Sequence, residues 1–428
     1  MEKIAFLFTG QGAQYVGMGK TFYDEYEVAR QTFEEANDVL GFDLTKICFE
    51  GSLGELSKPE NIQPALLTVS VAAYRVYMKE IGIAPHFYAG HSLGEYAALT
   101  CSGALRFSDA VKMVRERGLL TKQIMESDIG AMTIIDGIDS KLVEEECKKI
   151  SNEQQFVSIN CYNSPLQVAV AGHKEAVELL EEKVLEMDGN VTPLFGNAPF
   201  HSPLMQDTAE KLKGYLDQIT FFPFRNAVIS NPTALPFGDF GTIADKLAVQ
   251  MVKPVKWQET MQFLKKYGVT LAIEMGPKNV LCNLVKGNTP EIDAFCFGQR
   301  EDRNILFDRL NQNEMLKKHV PTVITKCLAV AVSTPNKNWD NEEYRRNVVE
   351  PYANIQKMQE ELDEQGALPT KEQMIEALEM LRTVLQTKKV PIQEQIEWFH
   401  HIFEETATYY EFKDFDILQE NKFEKVTN

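Results

Sequence analysis

Positive charge is scarce in this chain. Among its 428 residues, 44 Lys and Arg stand against 62 Asp and Glu, a formal net charge of −18. That balance argues against nucleic acid or an anionic membrane surface as the main partner, though a local basic pocket for an acidic ligand remains open. Paired cysteines are also missing: the seven cysteines are odd in number and none falls in a C-x-x-C pair. Scattered thiols of this kind point to a reducing compartment, so a cytoplasmic location is expected. There is no H-E-x-x-H and no cysteine–histidine cluster at zinc spacing, and no metal is expected. Gly10-Gln11-Gly12 is not a dinucleotide fingerprint, because Tyr15 stands where the third glycine is required. Gly19-Lys20-Thr21 ends like a P-loop, but Gln14 replaces its first glycine. Long apolar runs are absent too. Ile4–Phe8 is shorter than a secretory core, and Val320–Val332 is too short to span a bilayer and contains Lys326.

What is present reads as α/β. Ile4–Phe8 has the short apolar pattern of a buried strand, stopped by Thr9-Gly10. His86–Ala89 reads as a second strand and Glu95–Cys101 as a helix, with a tight turn between them. From about 128 to 197 the order is strand Ala131–Ile135, helix Lys141–Ile150, strands Val157–Cys161 and Gln167–Ala171, helix Glu175–Met187 and strand Val191–Leu194. This βαββαβ order is that of a ferredoxin-like unit. It predicts a small subdomain at 128–197, inserted into a hydrolase-like α/β core formed by 1–127 and 198–303. An appended helical module is expected over 304–428. There Tyr344, Val348, Tyr352, Ile355, Met358 and Leu362 recur at helical spacing, and Pro351 should kink or divide that helix. Thr370-Lys371-Glu372-Gln373 is a capping-box pattern, and Pro391 suits the first turn of a last helix.

Gly90-His91-Ser92-Leu93-Gly94 matches G-x-S-x-G, with a strand expected before it and a helix after. Such a turn exposes a serine hydroxyl and aims backbone N–H groups at the place where an oxyanion forms. The alternative is a serine that merely caps a helix. A serine nucleophile needs a base at neutral pH, commonly histidine. Of seven histidines, His91 lies beside the serine but points elsewhere on so tight a turn. His400 and His401 sit in an acidic helix, and His86, His173 and His319 have no special context. His201 lies in the proline-braced loop Asn197-Ala198-Pro199-Phe200-His201-Ser202-Pro203.

Several separated blocks carry a resemblance. They are Phe8-Thr9-Gly10-Gln11-Gly12-Ala13-Gln14, Gln63-Pro64-Ala65, Gly90-His91-Ser92-Leu93-Gly94-Glu95-Tyr96 and Arg115-Glu116-Arg117-Gly118. Asn163-Ser164-Pro165, Ala198-Pro199-Phe200-His201, Gln250 with Pro254-Val255-Lys256-Trp257, and Glu274-Met275-Gly276-Pro277 follow in order. Over roughly residues 1 to 300 the chain resembles the malonyl-CoA:acyl carrier protein transacylase family. The resemblance implies Ser92 as nucleophile, His201 as base and the backbone carbonyl of Gln250 as the support of that base. It implies an oxyanion hole from the N–H groups of Gln11 and Leu93. Arg117 would hold the free carboxylate of the malonyl group, a task suited to a guanidinium fork, and Phe200 would favour malonyl over bulkier units. Malonyl-CoA and an acyl carrier protein are the implied partners, in fatty acid or polyketide synthesis, with no cofactor. The tail is similar to those of stand-alone acyltransferases that serve polyketide assembly lines in trans. The rival readings are a hydrolase of the same fold that clears carrier-protein thioesters, and a non-catalytic docking protein.

Overall fold

Ile4–Phe8 forms strand β1 with all five residues buried, the pattern of a strand covered on both faces. The computed structural model describes residues 2–194, 196–311, 322–365, 367, 369–406, 408, 412 and 415–417. In chain order the remaining strands are β2 (Phe87–Gly90), β3 (Gly130–Asp136), β4 (Val157–Ser164), β5 (Gln167–His173), β6 (Asn190–Pro193), β7 (Ala227–Ser230), β8 (Leu235–Pro236), β9 (Leu271–Met275) and β10 (Asp293–Cys296). The chain divides into two compact units, Met1–Val76 with Pro85–Phe307, and Tyr77–Ala84 with Asp308–Asn428.

In the first unit a six-stranded sheet runs β10-β9-β1-β2-β7-β8. Its members are parallel except the short β8, which pairs antiparallel with β7. Phe8 pairs with Gly90, and Ala89 with Ile229, so β1, β2 and β7 end at one edge of the sheet. Open parallel sheets place their ligands at that carboxyl edge. Here it delivers Gln11, Ser92 and Asn231 from three neighbouring strands.

The βαββαβ order expected for residues 128–197 is observed as a separate antiparallel sheet, β4-β5-β3-β6. The helices Ser140–Ile150 and Lys174–Glu186 cover one face, burying Val143, Cys147, Val177, Leu180 and Val184 against Ile135, Ile159 and Val170.

The second unit has an apolar core of its own, including Cys327, Leu381, Leu385, Phe399, Ile402 and Phe403. Its helices are Val323–Ser333, Glu350–Gln365, Lys371–Thr387 and Ile392–Glu405, with a short helix Asn341–Tyr344. Thr370 and Gln373 form the expected reciprocal capping box. The interruption expected at Pro351 takes the form of a π-helical segment, Arg345–Val349, just before helix Glu350–Gln365. Proline lacks an N–H and its ring crowds the carbonyl four residues back, so the preceding turn widens instead of breaking. The boundary expected near 304 falls within the helix Arg300–Asn311. His319 and the first two residues of Val320–Val332 lie outside the described residues. Among the described residues, no helix is long and apolar enough to cross a membrane.

Candidate active site

Ser92 stands on the turn between β2 and the helix Gly94–Cys101, with φ at 53° in the left-handed region. A non-glycine residue held there costs about 1–3 kcal/mol, so the surroundings must enforce it. The two glycines of the motif permit the turn. A Cβ on Gly90 would lie 2.0 Å from the carbonyl carbon of Gly94, and one on Gly94 would lie 2.0 Å from the Phe8 oxygen. The Ser92 N–H donates to Asn231 Oδ1 at 2.7 Å, and the Asn231 amide donates back to the Gly90 carbonyl at 2.6 Å.

His201 meets Ser92 from a loop more than a hundred residues away. Ser92 Oγ and His201 Nε2 are 2.6 Å apart, and His201 Nδ1 is 2.6 Å from the Gln250 carbonyl oxygen. A carbonyl only accepts, so Nδ1 carries the proton and Nε2 is left to accept from the serine hydroxyl. His201 also has a positive φ, 58°. Its N–H donates to the Met251 carbonyl at 2.9 Å, and the preceding Phe200 carbonyl accepts from the Asn160 amide at 2.8 Å. Burial pushes the imidazole pKa down to about 3, and the Arg117 and His91 charges add to this against the pull of the Gln250 carbonyl. The ring is thus neutral at physiological pH. His91 turns away from Ser92, with Nε2 2.8 Å from Asn163 Oδ1 and its ring 5.3 Å from that of Trp257.

Arg117, in the helix Phe107–Met125, is fully buried, and among the described residues no carboxylate is hydrogen-bonded to it. One terminal nitrogen donates to Gln63 Oε1 at 2.8 Å, and Nε approaches Met251 Sδ at 3.2 Å. The other terminal nitrogen and the Tyr96 hydroxyl are both buried and attract one another, but among the described residues neither makes a hydrogen bond of good geometry. The guanidinium carbon lies 4.6 Å from the Phe200 ring centre and 5.6 Å from that of Tyr96. A buried cation with an unfilled donor is a receptor for a small anionic group.

The structure thus brings Ser92, His201, Gln250, Arg117 and Phe200 into one connected cluster. Leu93 is the residue before the helix Gly94–Cys101, whose N-terminal end carries partial positive charge. Gln11 follows β1 at the same sheet edge, its side chain 3.4 Å from Asn197 Oδ1. Among the described residues, the backbone N–H groups of Gln11 and Leu93 donate to no acceptor.

Glu95, Asn231 and Asn160 have no assigned role in the sequence analysis, yet they order the cluster. Glu95 is fully buried, and its Oε2 accepts from the Asn231 N–H at 2.9 Å and the Gln250 amide at 3.1 Å. Its signal in the sequence is an acid in an otherwise apolar helix, Gly94–Cys101. Asn231 and Asn160 give no such signal, since each reaches the site only through the chain's fold.

Residues 5–301 match the family model described as acyl transferase domain. A Bacillus subtilis protein named malonyl CoA-acyl carrier protein transacylase is 39% identical over 396 residues, covering 92% of this chain and 99% of the relative. A protein of the same name from Bacillus subtilis strain 168 is 42% identical over 287 residues, covering 67% of this chain and 90% of the relative. Among solved structures, the complex of a type II PKS acyl-carrier protein with its malonyl-transacylase is similar, at 36% identity and a TM-score of 0.68. That match covers 73% of this chain and all of the other.

Proposed function

This chain belongs to the acyl transferase domain family, and from that premise we infer that it moves a malonyl group from malonyl-CoA to the phosphopantetheine thiol of an acyl carrier protein. It is an acyl carrier protein S-malonyltransferase, acting in fatty acid or polyketide synthesis. Donor and acceptor are both thioesters, so the exchange is near thermoneutral and needs no cofactor. The observation that carries the residue roles is the juxtaposition of a Ser92–His201 hydrogen bond with a buried, half-empty Arg117 fork.

In this reading the malonyl carboxylate fills the free side of Arg117. Ser92 Oγ attacks the thioester carbonyl while His201 Nε2 takes its proton. The N–H groups of Gln11 and Leu93 receive the oxyanion. The C–S bond breaks, coenzyme A leaves with the proton from His201, and a malonyl ester remains on Ser92. The carrier thiol then attacks that ester, His201 takes the thiol proton, and the C–O bond breaks to return a protonated Ser92. Phe200 packs beside the malonyl methylene and restricts bulk there.

Residues 1–127 and 198–303 serve as the catalytic body, 128–197 as its small subdomain, and 304–428 as a module apart from the chemistry. The match to the first Bacillus subtilis relative is longer than the family model's span, so it reaches into this module. A stand-alone enzyme serving its carrier in trans fits that arrangement. None of the seven cysteines forms a disulfide and all are buried, which fits a cytoplasmic location.

The test is covalent. Malonyl-CoA alone should add one malonyl group to the protein by intact mass, on Ser92, and a phosphopantetheinylated carrier should discharge it. Rapid release of free malonate without carrier would support the hydrolase instead, and no adduct would support a docking protein.

A further inference from the structure

Beneath the nucleophile turn, one carboxyl group links the two residues that hold the reacting pair. Glu95 Oε2 accepts from the backbone N–H of Asn231 at 2.9 Å and from the side-chain amide of Gln250 at 3.1 Å. Asn231 in turn fixes the Ser92 N–H at 2.7 Å and the Gly90 carbonyl at 2.6 Å. The Gln250 amide also donates to the Ser92 carbonyl at 3.0 Å, while the Gln250 carbonyl holds His201 at 2.6 Å. Acids in a first helical turn commonly face solvent. This one is fully buried, and among the described residues its second oxygen has no hydrogen-bond partner.

We propose that Glu95 is a positioning residue for acyl transfer: its buried carboxyl clamps Asn231 and Gln250 together and so sets Ser92 and His201 at reacting distance. The proposal rests on the reading of Ser92 as nucleophile and His201 as base. Its protonation state follows from the surroundings. Burial pushes the carboxyl pKa up to about 8, against the hydrogen bonds from Asn231 and Gln250 and the charges of Lys246 and Arg117. Among the described residues, Tyr96 on its own helix is a further titratable group acting on it, its phenol pushed up to about 12 by burial and uncharged at neutral pH. The clamp therefore works as a neutral acid near pH 7. Above pH 8 it becomes a buried carboxylate that pulls harder on Asn231 and Gln250, the residues that hold Ser92 and His201, and acylation slows.

Ser92 malonylation by malonyl-CoA, timed by quenched intact mass from pH 6 to 9.5 on the full chain, tests this. Glu95→Ala strands the Asn231 N–H and frees the Gln250 amide. A displacement of the pair by about 1 Å costs on the order of 100-fold in rate, so a loss of about 10- to 100-fold is expected in kcat, with little change in KM. Glu95→Gln keeps an accepting oxygen in place and should rescue most of that loss. It should also lack the alkaline fall of the wild type, which a residue that only fills the core would not affect. A wild-type rate that is flat to pH 9.5, or an alkaline fall unchanged in Glu95→Gln, overturns the proposal. So does an undiminished rate in Glu95→Ala. Should Glu95→Ala fail to fold, the Glu95→Gln profile alone decides. Absence of any Ser92 adduct on the wild type would defeat the nucleophile assignment itself, a different and separable failure.

Discussion

Nδ1 of His201 lies 2.6 Å from the carbonyl oxygen of Gln250, in the last turn of the helix Ile243–Val252. Carbonyls of a last turn have no partner within the helix and carry its partial negative charge. In the proposed mechanism this helix end orients the imidazole and favours its protonated form during reaction, a role that a buried aspartate fills in a Ser-His-Asp triad. Ser92→Ala should abolish the malonyl adduct seen by intact mass. His201→Ala should slow acylation by about 10³–10⁶, the scale of loss for residues that act as one unit. A full-strength adduct on Ser92→Ala would remove the serine from the mechanism.

The depressed His201 pKa fixes the acid side of the pH profile. Only the neutral ring accepts the Ser92 proton, and the ring stays neutral down to about pH 3. The fall in acylation rate that an unperturbed histidine produces near pH 6.5 should be missing between pH 5 and 7. In the proposed mechanism, bound malonyl adds a carboxylate beside Arg117 and offsets one of the charges that hold His201 down. The base is then stronger in the complex than in the free enzyme. A titration of the ring by NMR in the presence and absence of a malonyl ester on Ser92 would measure that difference.

The same group links stability to pH. Between about pH 3 and 6.5 the unfolded chain binds a proton at this position and the folded chain does not. Stability therefore rises with pH through that window and is lost as pH falls below 6.5. His201→Gln removes the titrating group. Its melting temperature should fall less than that of the wild type between pH 6.5 and 5, and parallel falls in both proteins would contradict this.

Among the described residues one buried Arg117 nitrogen makes no hydrogen bond of good geometry, and a carboxylate would supply one. Removing one member of a buried charge pair costs about 2–5 kcal/mol. Arg117→Ala should lose malonyl transfer by about 30-fold or more, the equivalent of the lower bound. Acetyl transfer should be spared or improved, because acetyl has no carboxylate to strand. Arg117→Lys should rescue little, since an ammonium cannot keep both the Gln63 contact and a second parallel donor. Equal losses for malonyl and acetyl in initial-rate assays would make Arg117 structural.

Local pattern made much of this legible in sequence. Strand β1 and the βαββαβ order follow from apolar runs, turn residues and helical spacing, all of which are short-range. The Gly90–Gly94 motif is also local, because its two glycines permit one tight turn. The placement of His201 and Arg117 came through resemblance, since a lone histidine in a loop and an arginine in a helix carry no geometry of their own. Glu95, Asn231 and Asn160 were not legible as site residues. Their partners lie 40 to 155 residues away in sequence, and only the parallel order β1-β2-β7 and the insertion of the small sheet bring them together.

The C-terminal unit invites a last prediction. Among the described residues its buried cluster draws on residues 323 to 412, while the proposed site residues lie between Gln11 and Gln250. Acylation itself should therefore survive removal of the tail. The unit also includes Tyr77–Ala84, where Tyr77, Ile81 and Ile83 are buried. A chain ending after Asn311 would leave that segment without the rest of its unit, and newly exposed apolar surface lowers stability and solubility. We propose that the tail is a brace. The shortened chain should melt at a lower temperature, still form the Ser92 malonyl ester, and keep its KM for the carrier protein. A docking role predicts the reverse, an unchanged melting temperature with a raised carrier KM. Both quantities can be read on one sample, by calorimetry and by carrier-dependent discharge of the ester. A well-folded shortened chain that cannot be acylated would defeat brace and docking alike, and would mean that the tail contributes a group to the reaction.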